Sequence, residues 1–245
     1  MTKKLIKFKP GMPGLKKNSD TAPMPTSKTL PEWYRKADRF ARDPRTGEFW
    51  ENPDGSGKAP TWKACPAMFD IMTSGYVFVT PCDIEFYLDE NEKIAVKVLD
   101  KQFEHFCTPR EPMDQFTGPM NCYEEHFAWF PNWAPSLPEG YSAIYFAPIN
   151  RFDLPFVMTS GIVDNDKIDL PGSVPFFINK GFTGLIKKGT PYLQILPFKR
   201  EDWQSEVVQE DDRSLYARAM ANSRFYRIKD GGVYKNKVWS KRSYD

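Results

Sequence analysis

Apolar residues between positions 138 and 201 fall into runs of strand length that turn-forming residues separate. The runs cover residues 142–147, 156–163, 174–178 and 192–198, and the turns between them contain Asn-Arg, Asp-Asn-Asp, Pro-Gly and Lys-Lys-Gly. Short apolar runs divided by Gly, Asn and Asp are typical of antiparallel strands. This part of the chain therefore predicts a compact antiparallel β-sandwich or barrel.

The preceding residues add strands and short helices. Residues 76–88 and 93–99 predict further strands, joined through an Asp-Glu-Asn-Glu hairpin. Residues 31–42 begin with proline, carry Glu in the first turn and cluster their apolar side chains, which predicts a short docking helix. Residues 66–75 predict a second helix that ends at Gly75. Residues 201–223 have a helical composition.

These elements predict a mainly β protein with short helices and extended basic arms at both ends. We expect a Pro-rich basic arm with a short helix at 1–63 and a β domain at 64–203. A helical segment and a basic, aromatic tail are expected at 204–245. The many prolines and charges of the first 30 residues leave no core-forming periodicity there.

Composition indicates a globular protein. Aromatic residues make up 15% of the chain, and hydrophobic residues 40%, which is enough to build a packed core. No apolar run is long enough to span a membrane, and the first residues carry charge without the apolar segment of a secretion signal. We therefore expect a cytoplasmic protein whose four cysteines are reduced, with disulfides as the alternative.

Charge is distributed unevenly along the chain. Residues 1–63 and residues 213–245 each carry a balance of +7, whereas the residues between them carry −12, for a total of +2. An acidic body with basic ends can neutralise itself, can neutralise its neighbours in an assembly, or can direct its arms to nucleic acid. The alternative is that the basic ends are simply solvated.

The usual catalytic and metal-binding motifs are absent from the sequence. His105 and His126 are its two histidines, and they form no local metal-binding pair. We predict surface or structural histidines and no metal site; the alternative is a metal-dependent oxygenase that draws both into one centre. The G-x-S-x-G elbow and the glycine-rich phosphate loops do not occur either.

Asp164 is the candidate catalytic residue. It follows the apolar run Gly161-Ile162-Val163, and a strand that delivers a carboxylate can hold it rigidly, as a general base requires. Asp and Asn are also common turn formers, so the same residues are explained by a capped turn. Asp166, the second acid of this turn, is a candidate ligand-binding residue.

Four more candidate ligand-binding residues lie on neighbouring turns and strands. Asn150 and Arg151 form one turn, where the guanidinium could clamp a phosphate or pair with Asp153 or Asp164. Lys188 lies in a turn that could face phosphate or solvent. Gln194 is a polar residue in an apolar strand, so its amide needs partners.

The run GIVDND and the later segment KKGTPYLQILPF resemble the dUTPase and dCTP-deaminase superfamily, which has the β-clip fold. The resemblance implies that Asp164 corresponds to the catalytic, sugar-facing aspartate, Asp166 to the second turn acid and Gln194 to the strand glutamine. It also implies a nucleotide ligand whose phosphates carry Mg²⁺, with Arg151 as a phosphate contact.

The sequence departs from that superfamily at its phosphate contacts. Lys167 stands where the superfamily has an aromatic residue, and the Asn150-Arg151-Phe152 turn lacks the serine of its phosphate motif. The glycine-rich C-terminal arm is reduced to Gly231-Gly232. Without these contacts a nucleotide hydrolase loses most of its electrostatic catalysis. We therefore expect a shared fold more than a shared activity.

The chain also resembles an uncharacterised family of bacterial and tailed-phage proteins over about residues 66–203. The shared positions are Gly140-Tyr141-Ser142, Asn150-Arg151, Gly161–Asp166 and Gly189–Glu201. We therefore expect a non-catalytic, homo-oligomeric assembly protein, located in the host cytoplasm or virion if phage-encoded, and without a cofactor. The alternative is a dUTPase-like nucleotide hydrolase or nucleotide-binding sensor that uses Asp164 and Mg²⁺.

Overall fold

The computed structural model describes residues 4–17, 19–53, 55, 57–110, 117–209, 211–225 and 234–245. These residues form two compact units. Unit 1 comprises Met1–Thr29, Gly75–Arg200 and Tyr244–Asp245, and unit 2 comprises Leu30–Ser74 and Glu201–Ser243. The predicted arm at 1–63 is thus divided between the two units.

Unit 1 contains fourteen strands in its described part. They are β1 (Lys7–Pro10), β2 (Met24–Pro25), β3 (Tyr76–Val79), β4 (Ile84–Leu88), β5 (Ile94–Val98), β6 (Cys107–Pro109), β7 (Cys122–Trp129), β8 (Trp133–Ser136), β9 (Tyr141–Phe146), β10 (Phe156–Met158), β11 (Gly161–Val163), β12 (Val174–Asn179), β13 (Gly184–Ile186) and β14 (Pro191–Lys199). Short 3₁₀ helices occupy Thr26–Thr29 and Lys101–Phe103. Strands hold 32% of the residues and helices 17%, so the prediction of a mainly β protein is confirmed.

The strands form four antiparallel sheets. Their orders are β11-β9-β14-β3-β2, β10-β12-β7-β6, β13-β4-β5 and β1-β8. Among the described residues no sheet closes on itself, so the barrel alternative is wrong. The sheets share one core, in which Tyr192 of β14 lies 5.3 Å from Trp129 of β7 and Phe86 of β4 lies 5.3 Å from Phe127 of β7, measured between ring centroids.

The predicted strand at 156–163 is wrong, because its residues form two strands in different sheets. β10 pairs with β12 in the four-stranded sheet, whereas β11 pairs with β9 in the five-stranded sheet. The chain changes sheet at Thr159, whose amide and hydroxyl both donate to the carbonyl oxygen of Pro175. A mainly apolar run of eight residues indicates strand propensity, but it does not indicate which strand each half of the run pairs with.

Within residues 4–17 and 19–29, the N-terminal arm pairs with the β domain of its own chain. β1 pairs with β8, β2 pairs with β3, and the amide of Gly11 donates to the carbonyl oxygen of Asn132 over 2.7 Å. The ring of Phe8 packs edge-on against Tyr76. The arm therefore covers sheet edges, which would otherwise present unpaired backbone groups.

Unit 2 contains the helices α1 (Glu32–Lys36), α2 (Pro66–Thr73) and α3 (Asp212–Phe225), a 3₁₀ turn at Trp62–Ala64 and a π-helical turn at Tyr234–Val238. The predicted helix at 31–42 is therefore too long. After Lys36 the chain pairs with residues 59–61 instead: the amide of Ala41 donates to the carbonyl oxygen of Ala59, and the amide of Thr61 donates to the carbonyl oxygen of Arg39. Across the described ranges, no helix is both long and apolar enough to cross a membrane.

Candidate functional site

Sheet register places the predicted catalytic turn beside the end of the central strand. β9 lies between β11 and β14, with Val163 opposite Ala143 on one side and Phe198 opposite Ser142 on the other. Asp164 follows β11 and Arg200 follows β14, so both side chains reach the start of β9. Ser142, on β9, lies between them and is fully buried.

Hydrogen bonds connect these three side chains. The hydroxyl of Ser142 donates to Oδ1 of Asp164 over 2.6 Å and accepts from Nη1 of Arg200 over 2.9 Å. Nη1 of Arg200 lies 3.3 Å from the same carboxylate oxygen. The other oxygen, Oδ2, is 4.0 Å from the ammonium of Lys167. Asp164 is therefore held by one hydroxyl and two cations, although its side chain is 43% exposed.

Asp166 makes a closer pair with the same arginine. Nη1 and Nη2 of Arg200 donate to its two carboxylate oxygens, and the amide of Gly140 donates to Oδ2 over 2.9 Å. The side chain of Asp166 is 3% exposed. The two-pronged bond with Arg200 lowers the pKa of Asp166 well below its usual range. We name the four side chains of Ser142, Asp164, Asp166 and Arg200 the acidic-turn network.

Asn165, between the two acids, points inward. Its amide nitrogen donates to the hydroxyl of Tyr145 over 3.1 Å, and its backbone oxygen accepts from Leu137. Burial raises the pKa of Tyr145 to about 12, so this hydroxyl stays protonated. All three polar residues of the turn are thus engaged with their own chain.

This arrangement suits a structural turn better than a general base. The hydrogen bond from Ser142, together with Arg200 and Lys167, lowers the pKa of Asp164. General-base catalysis is most efficient when the pKa of the base lies near the working pH, and a carboxyl with a lowered pKa binds a proton more weakly. An ionised, partly exposed Asp164 could still accept a hydrogen bond from a ligand hydroxyl.

Arg151 has a different acidic partner. Its Nε and Nη2 donate to Oδ1 and Oδ2 of Asp153 over 2.8 and 2.7 Å, with the arginine side chain 13% exposed. This bond lowers the pKa of Asp153. The adjacent Asn150 takes the left-handed conformation, with φ +56°, that a tight turn requires. The sequence left phosphate, Asp153 and Asp164 as possible partners of Arg151, and in the structure it pairs with Asp153.

Gln194 and Lys188 each have partners of their own. The side-chain oxygen of Gln194, on β14, accepts from the amide of Ile149 over 3.0 Å. The ammonium of Lys188 lies 2.7 Å from Oδ2 of Asp20 in the N-terminal segment, and this pair raises the lysine pKa. The structure therefore brings Asp164 and Asp166 together through Arg200, and gives Arg151, Gln194 and Lys188 their own neighbours.

The histidines lie in different environments. His126 on β7 is fully buried, with its ring 5.5 Å from that of Phe177, whereas the side chain of His105 is 90% exposed beside Glu104. Within the described residues no group of three His, Cys, Asp or Glu side chains is arranged to hold a metal ion. The four cysteines are free thiols.

Arg200 and Ser142 are the residues of this network that sequence reasoning missed. Both lie in segments quoted for the phage-family resemblance, Gly140-Tyr141-Ser142 and Gly189–Glu201. A signal was present: a buried-strand serine, and an arginine directly after the longest apolar strand, are polar groups that need partners. The sequence could not identify the acidic partner of Arg200, because Asp166 lies 34 residues away along the chain.

Replacing Arg200 with alanine should lower the melting temperature of unit 1 by about 5 °C at neutral pH, because it leaves the buried carboxylate of Asp166 without its cation and removes one of the two cations near Asp164. The acid dependence should also weaken. Carboxyls with lowered pKa values stabilise the folded state above their unfolded pKa, near 3.8, and lose that contribution as the pH falls toward the lowered value. Between about pH 5 and pH 3 the wild type should therefore lose more stability than the variant.

Thermal unfolding followed by circular dichroism at both pH values measures this. Arg200→Lys keeps the charge and loses the two-pronged geometry, so it should restore part of the stability. An acid dependence equal in wild type and Arg200→Ala would contradict the role given to Arg200.

Comparison of the sequence with models of known protein families found no match, and comparison with curated proteins found none. The resemblances to the β-clip superfamily and to tailed-phage proteins thus remain predictions that rest on the motifs quoted above.

Proposed function

We propose that this chain is a non-catalytic assembly protein that associates with further copies of itself. The observation that carries the proposal is the set of exposed apolar side chains in residues 203–208 and 212–221. Trp203 is 88% exposed and Val207 is 99% exposed, and Val208 beside it is also exposed. Exposed apolar side chains close together in a short segment favour burial against a partner.

The helix α3 supports the same proposal. Each of its residues from Asp212 to Ala221 is exposed, including Leu215, Tyr216 and Met220. A helix of 14 residues is marginal in water by itself, and helices in proteins gain most of their stability from packing an apolar face. Tyr216 and Met220 are four residues apart and so lie on one face, with Leu215 beside them. A partner surface would bury the exposed side chains of residues 212–221.

Charge favours a second copy as that partner. Residues 201–212 contain six acidic residues and no lysine or arginine, whereas residues 1–63 and 213–245 each carry +7. The acidic segment of one copy and a basic end of another therefore attract each other. A surface that combines exposed apolar side chains with charges complementary to another part of the same chain is suited to self-association.

The acidic-turn network supports a non-catalytic role. Asp166 is paired with Arg200, Asp164 lies near both Arg200 and Lys167, and Arg151 is paired with Asp153. The alternative function, a dUTPase-like nucleotide hydrolase or sensor with Mg²⁺, needs Asp164 as base or sugar ligand and Arg151 on phosphate. Arg151 would first have to leave Asp153, which costs free energy, and the lowered pKa of Asp164 makes it a weak base. The resemblance to tailed-phage proteins suggests a virion as the assembly.

Sedimentation velocity over a range of protein concentrations tests the proposal. The wild type should form oligomers, and the double variant Trp203→Glu with Val207→Glu should sediment as a monomer, because it places charges at the apolar contact. Ser205→Glu is the matched control: it adds a charge to the same exposed segment without removing an apolar side chain, and should keep most of the association. A wild type that stays monomeric at high concentration, or a double variant that still associates, would refute self-assembly through this segment.

A further inference from the structure

Unit 2 contains a cleft of about 460 Å³, a size within the usual range for small-molecule sites. Its walls include the α1 residues Tyr34 and Arg35, together with Arg39, Lys63 and Phe69. Lys235, from the π-helical turn, completes the basic lining. We name this the basic cleft.

Four cations line the basic cleft, and no acidic residue does. The acidic residues close to it in sequence are already paired: Glu32 with Lys36, Asp38 with Arg42, and Asp70 with Arg242. Lys63 is drawn to α1 by a hydrogen bond from its ammonium to the carbonyl oxygen of Arg35, which leaves its charge unneutralised. Like charges gathered in a concave, partly apolar surface create a strong positive potential that attracts anions.

Tyr34 gives an independent indication of a ligand. The residue is 3% exposed, and its hydroxyl has no hydrogen-bond partner among the residues that the structure describes. Leaving a buried hydroxyl without a partner costs about 1–3 kcal/mol, so such groups are uncommon. Tyr34 also lines the cleft, and a ligand oxygen that reaches the buried hydroxyl as the cleft closes around it would accept its hydrogen bond.

The lining also selects the shape of the ligand. Leu30, Ala64 and the rings of Tyr34 and Phe69 form apolar walls, and Trp239 holds Phe69 edge-on at 6.0 Å between centroids. Arginine forks match the oxygens of phosphate, and flat apolar walls match a nucleobase. An aliphatic carboxylate would use the cations but would leave the aromatic walls without a matching surface.

We propose that the basic cleft binds a nucleoside phosphate, either as a free nucleotide or as a unit of single-stranded nucleic acid. Arg35, Arg39, Lys63 and Lys235 contact the phosphate, Tyr34 donates its hydroxyl to a phosphate oxygen, and Phe69 packs against the base. The site lies within unit 2 and is separate from the acidic-turn network. It goes beyond the proposed assembly function, and either can be wrong without the other.

Binding of three probes to the full-length protein tests this site. The probes are inorganic phosphate, deoxyadenosine monophosphate by calorimetry, and a fluorescein-labelled ten-nucleotide oligothymidylate by anisotropy. We expect both nucleotide probes to bind, and phosphate alone to bind more weakly because it lacks the base. If oligothymidylate binds much more tightly than the mononucleotide, and its affinity falls strongly with salt, the ligand is single-stranded nucleic acid. If the two affinities are equal, the ligand is a free nucleotide.

Variants locate the binding. Arg35→Glu and Lys235→Glu lie on separate segments of the cleft, and each should weaken binding at least about tenfold. Lys36→Glu is the matched control: it makes the same charge change one residue further along α1, outside the cleft, and should weaken binding less than about threefold. Tyr34→Phe should weaken binding severalfold while leaving the melting temperature unchanged or higher, since it removes an unsatisfied buried group.

Two results would overturn the proposal. One is the absence of measurable binding of either nucleotide probe at millimolar concentration. The other is an equal loss of affinity in Lys36→Glu and in both cleft variants, which would indicate a general attraction to the basic surface. Melting temperatures of all variants distinguish lost binding from lost folding.

Discussion

Replacing Gly75 with alanine is expected to destabilise unit 1 by more than about 4 kcal/mol, enough to leave much of the protein unfolded. Gly75 directly precedes β3 and has φ +74°, a conformation that costs other residues about 1–2 kcal/mol. A Cβ atom there would lie 2.0 Å from the carbonyl oxygen of Ile195 on the central strand β14. That oxygen is backbone in a sheet, so it cannot move aside without disturbing the pairing of β14 with β3.

Gly181→Ala separates the clash from the backbone strain. Gly181 belongs to the same unit and has φ +83°, but a Cβ atom there would meet no other atom within 4 Å. This variant should lose only the strain of about 1–2 kcal/mol. Urea unfolding followed by far-ultraviolet circular dichroism compares the two. Similar losses in both variants would show that the contact with Ile195 is not the cause.

Replacing Phe176 with alanine should lower the free energy of unfolding by about 3–5 kcal/mol. Phe176 on β12 is fully buried, and its ring stacks on Trp129 with centroids 3.9 Å apart and planes 3° from parallel. It also contacts Phe86, Phe127 and Phe156, which come from three other strands. Truncation removes the centre of an aromatic cluster and leaves a cavity that the surrounding rigid rings fill poorly.

Phe152→Ala is the control for Phe176→Ala, because it makes the same chemical change at a side chain that is 75% exposed. It should change the free energy of unfolding by less than about 0.5 kcal/mol. Denaturant unfolding measures both. A loss below about 1 kcal/mol for Phe176→Ala would indicate that the core repacks and that the stacked pair matters little.

The strands of the β domain were largely predictable from the sequence, whereas their pairing was not. The predicted runs at 174–178 and 192–198 correspond to β12 and β14, each within a residue or two of the observed ends. The period of an apolar pattern is a local property, so sequence reports it directly. The division of 156–163 between two sheets depends instead on Pro175, a partner more than ten residues away.

The helices illustrate the same limit. Helix α2 ends before Gly75 as expected, but α1 ends at Lys36 because residues 39–41 pair with residues 59–61. Local helix propensity there is outweighed by backbone hydrogen bonds to a distant segment. The predicted turn at Gly231-Gly232 lies outside the described residues.

The candidate site was predicted in part. Asp164 and Asp166 were identified as a polar turn after a strand, and the sequence left open whether they serve a ligand or the turn itself. The contacts from Ser142 and Arg200 favour the turn. The basic cleft was not predicted, because its cations come from α1, Arg39, Lys63 and the C-terminal tail, which are distant in sequence.

By itself, the sequence determined that this is a mainly β protein, where most strands and turns fall, and that its body is acidic between basic ends. These properties depend on periodicity and composition, which are local or additive. Only the tertiary structure decided that Arg200 pairs with both acids of the turn, while Arg35 and Lys235 remain without an acidic partner among the described residues. The physical reason is that hydrogen bonding and charge compensation depend on distances through space. Those distances are determined by the order of the strands and by the way that distant segments fold together.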